Sequence, residues 1–265
     1  MNTIRILPFL LALLPMCAQA ESVSPAAKPA APAAAKPAAP AAANKPLLAN
    51  QQAFLNLPEE RRKEFAKQLG EAQRLFQQKL IFETFDALDK TDAVFPDSPE
   101  SLNLRGACYV EIRSFDKAAA AFNKALQLFP DNPSINFNIA EVLFVTKKWQ
   151  AAHDLFGKIL QSLPKDNLSL YRLVEFKILL CKKKLGLKDE ALTLAQKYGM
   201  DDDSPYYYFA HAAIAYDDKN LVKAEEWLAM ASRIFRNPEA LSPWQDTLVE
   251  YGYIKSFYGG ELKDE

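Results

Sequence analysis

Histidine chemistry would have to come from His153 or His211, the only two histidines in the chain. A triad needs a nucleophile and an orienting carboxylate beside the imidazole, and a metal site needs further ligands at short spacing. Neither histidine has a cysteine near it in sequence, and the two fall in different helical stretches, so both read as surface or interface residues. Asp201, Asp202 and Asp203 concentrate negative charge as a calcium site would. Adjacent carboxylates lack the alternating spacing of an EF-hand loop, however. The run reads as a solvated turn ending in Ser204, a cap ahead of Pro205 in the first helical turn. Of three cysteines, Cys17 lies near the amino terminus; Cys108 and Cys181 read as small hydrophobes on helices, since two cysteines do not make a disulfide scaffold. No GxSxG, HExxH, P-loop or dinucleotide glycine motif occurs, and only eight glycines are present. Catalysis needs complementary groups that converge. None do here, so the expectation is a protein that is not an enzyme, with no catalytic residue, cofactor or metal.

Charge narrows the partner class. Setting aside Arg5, Lys28, Lys36, Lys45 and Glu21, residues 47–265 hold 28 basic and 32 acidic side chains. No net basic field is available for nucleic acid or an anionic membrane. The amino-terminal residues read as an address. Arg5 precedes a short apolar run over 6–14, and Ala18, Gln19 and Ala20 give the small-x-small pattern of a signal-peptidase site. The run is well short of the ~20 residues a membrane-spanning helix needs. Residues 1–20 are therefore expected to be a cleaved signal peptide and the protein to be periplasmic or secreted. Lipid attachment at Cys17 is the alternative, against which Met16 stands where a small residue is wanted. Residues 21–46 contain twelve alanines, six prolines and no aromatic residue. Such a segment cannot bury enough apolar surface to offset its ordering entropy. It reads as a disordered linker, either a spacer of roughly 80 Å at ~3.1 Å per residue or a tolerated tail.

From Leu47 the pattern turns helical and repeats every 34 residues between 99–132 and 133–166. Pro99 matches Pro133, Ala118 matches Ala152, Phe122 matches Phe156 and Pro130 matches Pro164. Lys124, Leu126 and Gln127 match Lys158, Leu160 and Gln161, and Phe115 pairs with Trp149. Gly106 and Ala140 are small residues in the middle of a first helix. Ala118 and Ala152 are small near the start of a second, which lets two antiparallel helices approach closely while Tyr109 or Leu143 and the phenylalanines fill the space around the contact. Pro130 and Pro164 end each second helix, and Asn132 with Pro133 starts the next pair. Residues 167–199 form a less regular unit with a break at Gly186, and about five residues longer, since Ala191 stands 39 after Ala152. Residues 205–236 return to the pattern through Ala212, Leu221, Ala224, Leu228 and Ala231. Residues 58–96 look like a degenerate first unit in which Thr84 and Thr91 replace alanines. Residues 243–258 read as a lone capping helix carrying Trp244, Leu248, Tyr251 and Ile254, and 259–265 as a tail.

A fixed period of this length with matching small and aromatic places resembles the tetratricopeptide repeat family. The resemblance implies an all-α fold over residues 47–258: a right-handed α-solenoid of antiparallel helix pairs with a C-terminal capping helix, in which one pair cannot bury its apolar face alone. It also implies that ligands bind the concave face lined by the first helices. Reading the same place in successive units gives one column of Asn103, Phe137, Tyr171 and Phe209, and a second of Val110, Phe144, Ile178 and Tyr216. Between them lie Ala107, Glu141 and Glu175. These eleven residues are the expected partner-binding groove, the competing reading being that the aromatics are packing. The Lys and Asn clamp that some relatives use for a peptide carboxylate is absent, with Ala107, Glu141 and Phe137 in its place. An aromatic groove with carboxylates suits an apolar peptide or a partner helix. The expected function is an exported adaptor or scaffold of the bacterial envelope; a carbohydrate- or cell-wall-binding accessory module is the alternative.

Overall fold

Start signals recur along the chain and each opens a helix. Ser98 accepts a hydrogen bond from the Ser101 amide, with Pro99 in the first turn. Asn132 accepts from the amides of Ser134 and Ile135 ahead of Pro133, and Asn237 accepts from Glu239 ahead of Pro238. These caps satisfy amides that have no partner within the helix. The computed structural model describes residues 47–255 apart from Asp131 and Lys165, so the expected signal peptide, linker and tail lie outside the described residues.

The described residues form twelve helices and no strand. In order they are α1 (Ala49–Leu55), α2 (Glu59–Gln77), α3 (Ile81–Val94), α4 (Pro99–Glu111), α5 (Phe115–Leu128) and α6 (Pro133–Val145). Then come α7 (Trp149–Ser162), α8 (Leu168–Lys184), α9 (Lys188–Ala195), α10 (Tyr206–Asp217), α11 (Leu221–Ile234) and α12 (Pro238–Tyr251). From α2 to α11 they pack as consecutive pairs, α2 on α3 through α10 on α11. Each pair turns on a residue of positive φ: Lys79, Arg113, Lys147, Gly186 and Lys219. The first helices also meet directly, α2 with α4, α4 with α6 and α8 with α10, which makes a solenoid with one wall of first helices.

Close approach within a pair rests on the small residues. A Cβ on Gly106 would collide with the Phe122 ring, and Ala72, Ala118, Ala140, Ala152, Ala212 and Ala224 have no exposed surface. Thr84 and Thr91 fit the same kind of place because each hydroxyl bonds back to the carbonyl four residues earlier, Leu80 at 2.7 Å and Ala87 at 2.8 Å. That return bond satisfies a polar group that would otherwise be buried without a partner.

The irregular unit has a clear anatomy. Successive turns are spaced 34 residues from Arg113 to Lys147, 39 to Gly186, and 33 to Lys219. Most of the excess lies in α8, which has 17 residues against 13 in α6. Its partner α9 is correspondingly short, with 8 residues against 14 in α7.

Candidate partner-binding groove

Counting back from the turns fixes which residues face the wall equivalently. The place ten residues before the positive-φ residue is Leu69, Asn103, Phe137, Phe176 and Phe209 in successive units. Six residues before it stand Ala107, Glu141, Leu180 and Ala213; three before it stand Val110, Phe144, Lys183 and Tyr216. In α8 the equivalent residues are thus Phe176, Leu180 and Lys183, not Tyr171, Glu175 and Ile178. The longer α8 moves the register by five, so a 34-residue step from α6 lands on other faces. Phe176 accordingly lies 6.2 Å from Phe209, ring to ring.

Glu175 points away from the wall. Its carboxylate accepts from Lys197 at 2.5 Å and from the Tyr198 hydroxyl at 2.8 Å, beside Arg172 at 3.6 Å. Arg172 also stacks 3.6 Å over the Tyr198 ring and donates to Asp202 at 3.0 Å. The aspartate run expected to be a solvated turn is tied back to α8 through Asp202; the N-cap of α10 is Pro205 rather than the expected Ser204, whose hydroxyl accepts from the Tyr206 amide at 3.2 Å.

Ten of the eleven expected groove residues are buried: Asn103, Ala107, Val110, Phe137, Glu141, Phe144, Glu175, Ile178, Phe209 and Tyr216. Tyr171 alone is half-buried. Phe137 is 5% exposed, packed edge-on to Phe156 of its own pair at 6.1 Å, and Phe209 is 1% exposed. The partial exposure expected of an open groove is absent at both rings.

The cover is α12. The expected terminal helix is present, begins at Pro238 rather than Pro243, and does more than close the last pair. It crosses the wall of first helices, contacting α6 and α8 as well as α11. Leu241, Trp244, Leu248 and Tyr251 recur at i, i+3, i+7 and i+10, one stripe of a helix, and all four are buried. Trp244 sits 5.4 Å from Phe176 and 5.6 Å from Phe209. Tyr251 stacks on Phe144 at 6.3 Å, and Lys184 Nζ stands 4.4 Å over the Tyr251 ring. Just beyond the helix, Tyr253 stacks on Tyr216 at 5.0 Å and donates to Asp217. Burial of four such side chains contributes on the order of 6–12 kcal/mol to holding α12 in place. At one end a partly open pocket of about 270 Å³ is lined by Leu170, Leu173, Pro205, Asn237, Pro243 and Trp244.

A charge cluster lies under the helix. Lys177 of α8 is fully buried, with its Nζ 2.9 Å from Glu141 Oε2 and 3.4 Å from Glu250 Oε2. It also stands 4.7 Å over the Phe144 ring. The Glu141 contact is an ion pair and not an aligned hydrogen bond. Burial opposes the lysine's charge, but Glu141 and Glu250 outweigh it and hold its pKa above the ordinary value. Burial pushes Glu141 up to about 7 against the pull of Lys177, with Glu250 adding to the rise. Asp246, one turn before Glu250, is likewise pushed up to about 7 by burial and by the Glu250 charge. Each buried ion costs several kcal/mol in lost hydration, so the apolar stripe holds α12 and the ions fix where it sits.

The sequence reading missed Lys177, Trp244, Asp246, Glu250 and Tyr251 as groove residues. Two signals for them exist. Lys177 is the one cation inside the apolar run 173–181, and the 241–251 stripe has the spacing of a helix that needs a partner face. The histidines stay apart: His153 pairs with Asp154 at 3.0 Å. His211 packs 4.8 Å from Trp227, and burial lowers its pKa. Among the described residues, no helix is long and apolar enough to cross a membrane.

The repeats match known ones. Tetratricopeptide repeat family models match residues 86–133 and 113–175. Among solved structures the chain is similar to pilF of Pseudomonas aeruginosa, with 13% identity and a TM-score of 0.52, covering 73% of this chain and 94% of that one. It is also similar to YrrB, described as a TPR protein with an unusual peptide-binding site, at 19% identity and a TM-score of 0.48, covering 74% and 95%. At such identity the likeness to pilF shows the fold alone. No curated protein matches the chain.

Proposed function

We propose, from the premise that this chain is a tetratricopeptide repeat protein, that it is a non-catalytic scaffold of the bacterial envelope which holds a partner protein on its wall of first helices. One observation carries the reading: that wall already accepts an amphipathic helix, α12, along Phe144, Phe176 and Phe209. A surface that packs one helix in register has the shape and chemistry for helix recognition. The eleven residues read from the sequence belong to this proposal only in part. Those on α4, α6 and α10 share the wall, and in α8 Phe176, Leu180 and Lys183 replace Tyr171, Glu175 and Ile178.

Export rests on Arg5, the apolar run 6–14 and the Ala18, Gln19, Ala20 site. The mature chain then begins at Glu21 and fractionates with the periplasm or medium; recovery of a lipid-modified Cys17 would instead make it an anchored protein. The scaffold reading is tested by crosslinking the full chain in envelope extract and mapping partner crosslinks by mass spectrometry. Crosslinks concentrated on α4, α6, α8 and α12 support it. Crosslinks confined to α5, α7, α9 and α11 would overturn it.

A further inference from the structure

We propose that α12 is a self-ligand, a helix of the chain that occupies the partner groove, and that the partner is a helix of the same chemistry which takes its place. The proposal rests on the scaffold reading above and names the partner class. That class is an amphipathic helix with an aromatic residue, an aliphatic residue four places later and an aromatic seven places later, and with a carboxylate directly before the second aromatic. In α12 these are Trp244, Leu248, Tyr251 and Glu250.

Three features lead to it. First, the wall demands an occupant with a negative charge. Lys177 is fully buried and has two close carboxylates, Glu141 from the wall and Glu250 from the helix lying on it. Glu141 is the nearer at 2.9 Å, and the occupant's carboxylate adds a second partner at 3.4 Å. A basic residue at that place would bring a second cation to the buried ammonium, and an apolar one would leave it with Glu141 alone. Charge complementarity therefore selects among helices.

Second, α12 is not a member of any helix pair. The pairs from α2 to α11 pack among themselves, and the chain reaches α12 from α11 through Phe235, Arg236 and Asn237. It can leave as one piece while the pairs keep their own contacts. Third, a partly open pocket lies at the Trp244 end of the helix, lined by Leu170, Leu173 and Pro243. A longer helix or a larger side chain in the same register would fill that space and outcompete it.

The test uses the full chain and a fluorescent synthetic peptide of residues 237–253. The wild-type chain, its groove occupied, should bind the peptide weakly. The chain carrying Trp244→Ala and Tyr251→Ala should bind it about tenfold more tightly or better, and a peptide with Glu250→Lys should lose about tenfold on that same chain. Hydrogen exchange on the wild-type chain saturated with peptide should show 238–251 gaining exchange while α6 and α8 stay protected. If the double variant loses its helical signal, the Glu250→Gln chain takes its place and should also bind the peptide more tightly than wild type. Equal binding by both chains, indifference to Glu250→Lys, or a dimer that exchanges α12 between copies would each overturn the proposal. Such a failure is separable from failure of the scaffold reading, which the partner crosslinks test by themselves.

Discussion

Lys177 and Glu250 stand 73 positions apart in the chain and 3.4 Å apart in the fold. They are the polar contact between the helix wall and the helix that covers it. Breaking a buried pair by removing one partner costs about 3–5 kcal/mol because the other charge stays buried alone. Lys177→Met should therefore lower unfolding free energy in urea by about that amount. Adding Glu250→Gln to it should recover part of the loss. If the two losses simply add, the residues do not act as a pair.

The same cluster makes stability depend on pH. Burial raises the pKa values of Glu141 and Asp246 to about 7, well above the ordinary range near 4. A carboxyl whose folded pKa is raised contributes its full stability below the unfolded pKa and loses it as pH rises through the folded one. Lys177, held above its ordinary value, stays charged throughout this window. The melting temperature should be higher near about pH 6 than near about pH 8.5, and Asp246→Asn should flatten the difference. A profile that rises across this interval would contradict the cluster.

Phe137 and Tyr171 separate packing from surface. Phe137 is 5% exposed and packed on Phe156, so Phe137→Ala should cost about 3–5 kcal/mol and lower the melting temperature clearly. Tyr171 is half-buried and off the wall, so Tyr171→Ala should shift melting by only a few degrees. Thermal unfolding of the two variants side by side checks this, and similar shifts would refute the register drawn from the turns.

This contrast also shows what the amino-acid order made legible. The pairs around Gly106 and Phe122, and around Ala140 and Phe156, were readable because local packing imposes residue size at fixed spacing. Pro99, Pro133 and Pro164 marked the joints for a reason equally local. The register of α8 was not readable by stepping 34 residues, since the excess of 17 over 13 residues lies inside a helix whose residues 173–181 are all buried. A helix buried on every side carries no single stripe to count from. The turn at Gly186 was the better landmark. The placement of α12 was harder still. Its stripe announces that it needs a face, but several faces of a repeat array are apolar, and only the match of Glu250 to Lys177 selects one.

Cys108 and Cys181 sit on α4 and α8, two first helices with α6 between them in the stack. Both are free and buried, and burial pushes each thiol up to about 12. The protonated thiol is a poor nucleophile. Neither should react with a thiol reagent in the native chain, and both should react after denaturation without reductant. Fewer than two labelled thiols in the unfolded chain would reveal a disulfide that the stacking forbids.

The helix that covers the wall follows every helix it covers. Phe144 is made about a hundred residues before Tyr251, an interval of roughly 5–20 s at usual rates of synthesis. Over that time Phe144, Phe176 and then Phe209 exist without Trp244 and Tyr251 to shield them. A newborn chain therefore passes through a phase in which its stickiest surface is open to the first helix or chaperone that arrives. Assembly with a partner has its earliest opportunity then, before the chain's own helix is there to compete.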